Sequence, residues 1–194
     1  MWFMSTATTS LTALGPHLFW LISRSAGILA LIASSLSVSL GLMMGGRFTR
    51  LKGPDLRVAH EALALTTLGA IAVHGLALLG DSYLHPSLAQ IAIPFAASYK
   101  PLLTGLGIIA FWTMFALGAG YYLRRRIGVR RWRLLHRFTA VAWLMGLVHS
   151  LGMGTDAGQA WFLAMSAVVV LPALALLAIR IFGWPTAEQA PVRA

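Results

Sequence analysis

Four histidines lie inside the apolar part of this chain and fall into two pairs, His60 with His74 and His136 with His149. Each pair occupies one predicted membrane helix, with one histidine toward each end, so two helices offer imidazoles at matching depths. A pair of b-type haems, one above the other, needs this arrangement, each iron being clamped by one nitrogen from either helix. An ionisable side chain within lipid is costly and is read as functional, and four in register point to a transmembrane electron path. The competing reading is four polar residues bonding across helices, which would need no matched depths. A bare metal ion fits less well. The histidines of each helix are too far apart to share one ion, and His60-Glu61 lacks the second histidine of a zinc-protease motif.

Fourteen residues separate His60 from His74 and thirteen separate His136 from His149. These spacings are rises of about 21 Å and about 19.5 Å on a helix, so two levels match across most of the ~30 Å apolar thickness. Angle matches less well. At about 100° per residue, fourteen residues return to within about 40° of the starting direction, whereas thirteen miss by about 140°. A bend, a local irregularity or splayed rotamers are therefore expected between His136 and His149, with Gly146 as a candidate position. Gly69, Gly75 and Gly146 would let a flat macrocycle approach the backbone, or serve ordinary close helix packing.

The elements that must position these rings are membrane helices. Of the 194 residues, 58% are hydrophobic and 10% charged, and the mean hydropathy is +0.78, far above a soluble domain. Five apolar segments, each near the ~20 residues needed to cross a bilayer core, run roughly Leu18–Met43, Arg57–Leu79, Pro101–Leu123, Leu134–Leu151 and Ala160–Phe182. The expected fold is an all-α integral membrane bundle of five transmembrane helices. Arg47, Arg50, Lys52 and Arg57 follow span one, and Arg124, Arg125, Arg126, Arg130, Arg131 and Arg133 follow span three. The opposite loops carry Asp81, Lys100 and Asp156. The positive-inside rule puts the basic loops and the C-terminus in the cytoplasm and the N-terminus outside. The chain then divides into an outer N-terminal segment (1–17), a di-haem transmembrane bundle (18–183) and a short cytoplasmic tail (184–194). Between Asp81 and Lys100, Ser87–Ala97 is apolar but too short to cross, and reads as a re-entrant or interfacial piece capping the outer face.

Several function classes drop out. The chain has no cysteine, which removes thiolate-held iron–sulfur clusters, covalently attached haem, disulfides and thiol catalysis. No Gly-rich dinucleotide fingerprint follows a strand-like segment, and the residues after Phe182 are too few for a catalytic domain. The N-terminus lacks a basic region before an apolar core, so no cleavable signal peptide is expected. The net charge of +10 lies in short loops between apolar runs, where membrane topology explains it better than nucleic acid does.

With the histidine pairs in place, the pattern resembles the ferric-reductase-like transmembrane domain, the family shared by NADPH oxidases, ferric reductases and related bacterial proteins. That family holds two b haems between two helices with ligand spacings of fourteen and thirteen residues, in that order. The phrases WLISRSAG at the start of span one, PFAASYKPLLTGLG before span three and RRRIGVRRWRLLHR leading into span four also resemble it. The resemblance covers roughly Trp20 to Asp156. It implies two haems b held by His60, His74, His136 and His149. The family's flavin and nicotinamide domains and the extra first helix of its six-helix members have no counterpart in this sequence. Electrons are therefore expected from a separate flavoprotein or from quinol. In oxidases of the family an arginine near the outer haem helps to bind oxygen. Arg24 matches it by position, while Leu78 stands where those oxidases have a second outer histidine.

Arg24 must pair or snorkel inside span one; a haem propionate and the outer headgroups are its two candidate partners. Arg133 and Arg137 are candidates for an inner propionate, on a surface that would attract an acidic reductase or anionic lipid. His17 and His85 are read as outer interfacial residues, with contact to an acceptor as the alternative for His85, and Trp20, Trp112, Trp143 and Trp161 as lipid-facing. The expected role is that of a multi-pass protein of the plasma or inner membrane. It would pass electrons from a cytoplasmic or quinol donor, through the haems, to an outer acceptor: ferric iron, oxygen or a protein. The resemblance extends to the haem subunit that feeds a periplasmic methionine-sulfoxide reductase. A non-catalytic subunit of a larger respiratory or photosynthetic assembly is the alternative.

Overall fold

The structure, a computed structural model, describes residues 17–45 and 54–183. Arg47, Arg50, Lys52, most of the 1–17 segment and the 184–194 tail lie outside the described residues. Among the described residues all regular structure is helical: α1 (Leu18–Gly45), α2 (Pro54–Ala77) running into a 3-10 turn (Leu78–Gly80), α3 (Leu88–Ala92), α4 (Pro101–Tyr122), α5 (Arg124–Ile127), α6 (Val129–His136), α7 (Thr139–Met153) and α8 (Ala160–Phe182). Proline opens α2 and α4, where its missing N–H costs nothing. Gly128 (φ 94°) precedes α6 and Gly183 (φ 76°) ends α8, both in a backbone region that favours glycine.

Five helical stretches are long and apolar enough to cross a membrane: Leu18–Gly45, Pro54–Gly80, Pro101–Tyr122, Val129–Met153 and Ala160–Phe182. The five expected spans are all present, the fifth with the expected bounds, and the fourth begins five residues earlier than expected. That early start comes from α6, whose arginine-rich first turns are polar yet helical. Leu29, Leu36, Leu65, Val73, Phe115, Val141, Val168 and Leu171 are exposed around the outside, which suits an apolar solvent and not water.

α1 is the hub, packing against α2, α7 and α8, while α4 packs against α7. Small residues make this possible: its buried positions are Ser23, Ala26, Ala30, Leu31, Ala33, Ser34, Ser35 and Ser37. Without a hydrophobic drive between helices in lipid, close backbone approach and interhelical hydrogen bonds hold a bundle together. The α1 serines also satisfy themselves along the helix, as when Ser35 Oγ donates to Leu31 O at 2.7 Å. The core joins Leu31 to Trp143, Phe162, Val170 and Ala173. Trp143, expected to face lipid, is instead 1% exposed, and its Nε1 donates to Ser35 Oγ at 3.1 Å. An indole N–H has no partner in hydrocarbon, and the serine-lined hub supplies one. Trp112 and Trp161 are exposed as expected.

One end of the bundle gathers Arg57, the arginines of α5 and α6, and Arg180, whose Nη1 donates to Gly45 O and ties α8 to the end of α1 at 2.9 Å. At the other end lie Asp81, Lys100 and Asp156. There the 81–100 connection descends beside α4. Ser87 and Gln90 form a capping box on α3, Phe95 wedges against Gly105, and Trp112 Nε1 donates to Ala92 O at 2.8 Å. Trp112 lies eleven residues into α4, a rise of about 16 Å, so the connection folds back along the side of α4.

Replacing Trp143 with Ala should cost about 3–5 kcal/mol and remove the indole donor to Ser35 Oγ, read as a lower unfolding midpoint in detergent. Trp143→Phe should recover most of the loss.

Candidate functional site

α1 and α2 run antiparallel, and this brings each α2 histidine onto an α1 serine. His74 Nδ1 donates to Ser23 O at 2.8 Å, and His60 Nδ1 donates to Ser37 O at 2.9 Å. The serine hydroxyls return the contact: Ser23 Oγ donates to His74 O at 2.9 Å and Ser37 Oγ reaches His60 O at 3.4 Å. A proton held on Nδ1 by a carbonyl fixes the tautomer and leaves the Nε2 lone pair for another partner.

His149 on α7 is held the same way by a different helix. Its Nδ1 donates to Leu103 O of α4 at 2.8 Å. His136, the last residue of α6, is the exception. Its Nδ1 is buried without a hydrogen-bond partner, and its ring stacks instead on Trp132, 5.0 Å away at 27°. Tyr121 backs Trp132 at 5.7 Å.

The rings then meet in pairs across the gap between α2 and the α6–α7 helices. His60 and His136 have centroids 6.2 Å apart, and His74 and His149 are 6.3 Å apart. Two imidazoles on opposite sides of one metal, each with a metal–nitrogen bond of about 2 Å and a ring radius of about 1.1 Å, would have centroids about 6.3 Å apart. Among the described residues no group of three or more His, Cys, Asp or Glu could hold a metal ion. A bare ion would be under-coordinated here, whereas a porphyrin brings four nitrogens of its own. A largely apolar cleft beside His136, lined by Val38, Ala64, Thr67, Leu68, Met114 and Thr139 among others, opens between α1, α2, α4 and the α6–α7 junction. The residues present fit a haem at each level.

The expected irregularity between His136 and His149 is present, but not at Gly146, through which α7 runs unbroken. It is at Arg137–Phe138, immediately after His136. Arg137 N bonds Leu134 O at 3.3 Å and Phe138 N bonds Leu135 O at 2.9 Å, while Thr139 Oγ1 takes up the freed His136 O at 2.7 Å. This tighter winding advances about 120° per residue, the direction that reduces the angular mismatch of a straight helix. The glycines that lie against the imidazole rings are a different set from those expected to admit a macrocycle or close packing. Gly69 and Gly75 face open space and Gly146 only approaches Ala110, whereas Gly27 abuts His74, Gly41 abuts His60 and Gly107 abuts His149.

Arg24 is paired within the protein, with a partner that sequence reasoning did not weigh. Its Nε and Nη2 grip Asp156 at 2.5 and 2.6 Å, and its guanidinium lies 5.1 Å from the Trp20 ring and 5.9 Å from that of Trp161. Arg133 and Arg137 are exposed, either side of His136. Glu61 beside His60 accepts from Tyr122 Oη at 2.7 Å, which joins α2 to α4. His85 is exposed, at φ 42°.

Comparison with known proteins places these helices in context. The ferric reductase like transmembrane component family matches residues 26–147, which takes in three of the four histidines and stops two residues short of His149. No curated protein and no solved structure matches the chain.

A double-mutant cycle of Arg24→Ala and Asp156→Ala should return a coupling of about 0.5–3 kcal/mol in detergent unfolding. Arg24→Lys should not restore it, because an ammonium cannot make the bidentate contact. Additive losses would mean that the pair is not formed.

Proposed function

The chain belongs to the ferric reductase like transmembrane component family, and from that premise we propose that it carries electrons across a membrane by holding two haems b, one between His60 and His136 and one between His74 and His149. Membership supports transmembrane electron transfer in general, and the family is generally haem-binding. The observation that carries the finer reading is the pair of facing imidazole couples at 6.2 and 6.3 Å, two levels of one helical gap.

Bound haem would supply reversible one-electron chemistry. The chain's own part is ligation, orientation and exclusion of water. Carbonyls of Ser37, Ser23 and Leu103 hold three Nδ1 protons, so three Nε2 lone pairs point into the gap. Trp132 braces the fourth ring by stacking. His60 with His136 and His74 with His149 would each hold one haem through two imidazoles, so an acceptor would be reduced without binding the haem iron. Arg133 and Arg137 are the proposed partners of the inner propionates. Arg24 spends Nε and Nη2 on Asp156 and keeps Nη1 for an outer carboxylate. By the positive-inside rule the arginine-rich end is cytoplasmic. The donor is then a separate flavoprotein or quinol on or near that side, and the acceptor is ferric iron, oxygen or a protein outside. The same basic end suits anionic lipid or an acidic donor surface.

Protein purified after expression with added haem should show low-spin b-type bands on reduction and about two haems per chain. Replacing any one of His60, His74, His136 or His149 with Ala should remove about half. In vesicles enclosing ferricyanide, an external reductant should be oxidised through the wild type and not through His74→Ala. A colourless wild-type preparation would refute the assignment.

A further inference from the structure

One local device recurs at three of the four histidines. The residue whose carbonyl accepts the Nδ1 proton is followed four positions later by glycine: Ser23 by Gly27, Ser37 by Gly41 and Leu103 by Gly107. A helical carbonyl at position i already receives the N–H of residue i+4, so the side chain at i+4 flanks the same oxygen. With glycine there, the flank is open and an imidazole edge can enter. A Cβ at Gly27 would stand 3.1 Å from His74 Nδ1, one at Gly41 3.1 Å from His60 Cε1, and one at Gly107 2.6 Å from His149 Nδ1. On α1 the device occurs twice at a fourteen-residue interval, the interval between His60 and His74, and the antiparallel register pairs the two sets. Small residues in general helix packing would bring the backbones close, but would have no reason to follow the accepting carbonyl by four residues each time.

The rings so held stand nearly perpendicular to their partners, at 84° for His60 and His136 and 80° for His74 and His149. The geometry points to Gly27, Gly41 and Gly107 as positioning residues that keep one carbonyl open to each ligand's Nδ1 proton and thereby set the plane and donor strength of His74, His60 and His149. This inference rests on the haem reading above. A strong Nδ1–H···O=C bond makes imidazole a better donor and favours ferric iron. With haem bound, rings held near perpendicular would leave the iron dπ orbitals nearly degenerate and would give the ferric low-spin state strong magnetic anisotropy.

The test is electron paramagnetic resonance and redox titration of the haem-loaded, full-length protein in detergent, with haem content measured alongside. Wild type should show two strongly anisotropic low-field signals. Gly41→Ala should move one signal to lower g and raise one midpoint potential. Gly27→Ala and Gly107→Ala should each do this to the other signal and potential. Should an alanine variant lose haem, Ser23→Ala and Ser37→Ala, which remove only the hydroxyl contacts, should still shift the outer and inner signals respectively, by less. Unmoved signals and potentials in variants that retain haem, or the same shift of both haems by every variant, would overturn the assignment. Absence of low-spin haem from the wild type would instead refute the function proposed above.

Discussion

An imidazole in a low-dielectric interior must give its one N–H to an acceptor before its remaining lone pair can be aimed at anything. In a membrane bundle water is absent and helical carbonyls are already engaged, so the acceptor has to be a carbonyl able to take a second bond. Much of the architecture follows from meeting that requirement. Two carbonyls come from α1, at Ser23 and Ser37, and one comes from α4, at Leu103. For a ring to reach them the backbones must nearly touch, and the run of serine, alanine and glycine on α1 permits this. The hub carries the acceptors of both α2 histidines, although it carries none of the four histidines itself.

His136 shows what happens where no carbonyl is within reach. It terminates α6 at a break in the helix and is braced by the face of Trp132, with Tyr121 behind. The two levels of the gap are therefore built differently. One has both rings hydrogen-bonded and set into unbroken helix; the other has one hydrogen-bonded ring and one stacked ring beside a local unwinding. The second level adjoins the arginine-rich end and an open cleft, whereas the first adjoins the 81–100 connection and the Arg24–Asp156 clamp.

That clamp illustrates how charge is managed at the bundle's less basic end. A guanidinium in span one would be costly alone. Asp156, in the connection between α7 and α8, neutralises it bidentately, and the rings of Trp20 and Trp161 flank the pair. The same contact fixes the α7–α8 connection to the start of α1, close to Ser23 and thus to His74.

The spans, their number and the depths of the four histidines were legible in the sequence. Each depends on a local property: hydropathy summed over about 20 residues, and rise per residue along a single helix. The need for an irregularity in the fourth span was legible too, from angular arithmetic alone, but not its place. Arg137–Phe138 unwinds where Thr139 can recapture the His136 carbonyl, and nothing in the spacing announces that. Trp143 read as lipid-facing because its type is common at interfaces, and only the position of Ser35 across the α1–α7 contact turned it inward. Arg24 and Asp156 are 132 residues apart. The glycines Gly27, Gly41 and Gly107 were equally out of reach: their partners lie on other helices, so their meaning depends on which helix faces which and in what register. Hydropathy settles that a segment crosses, since lipid reads each helix alone. Only tertiary packing settles which carbonyl an imidazole meets, since that takes two backbones at a particular distance.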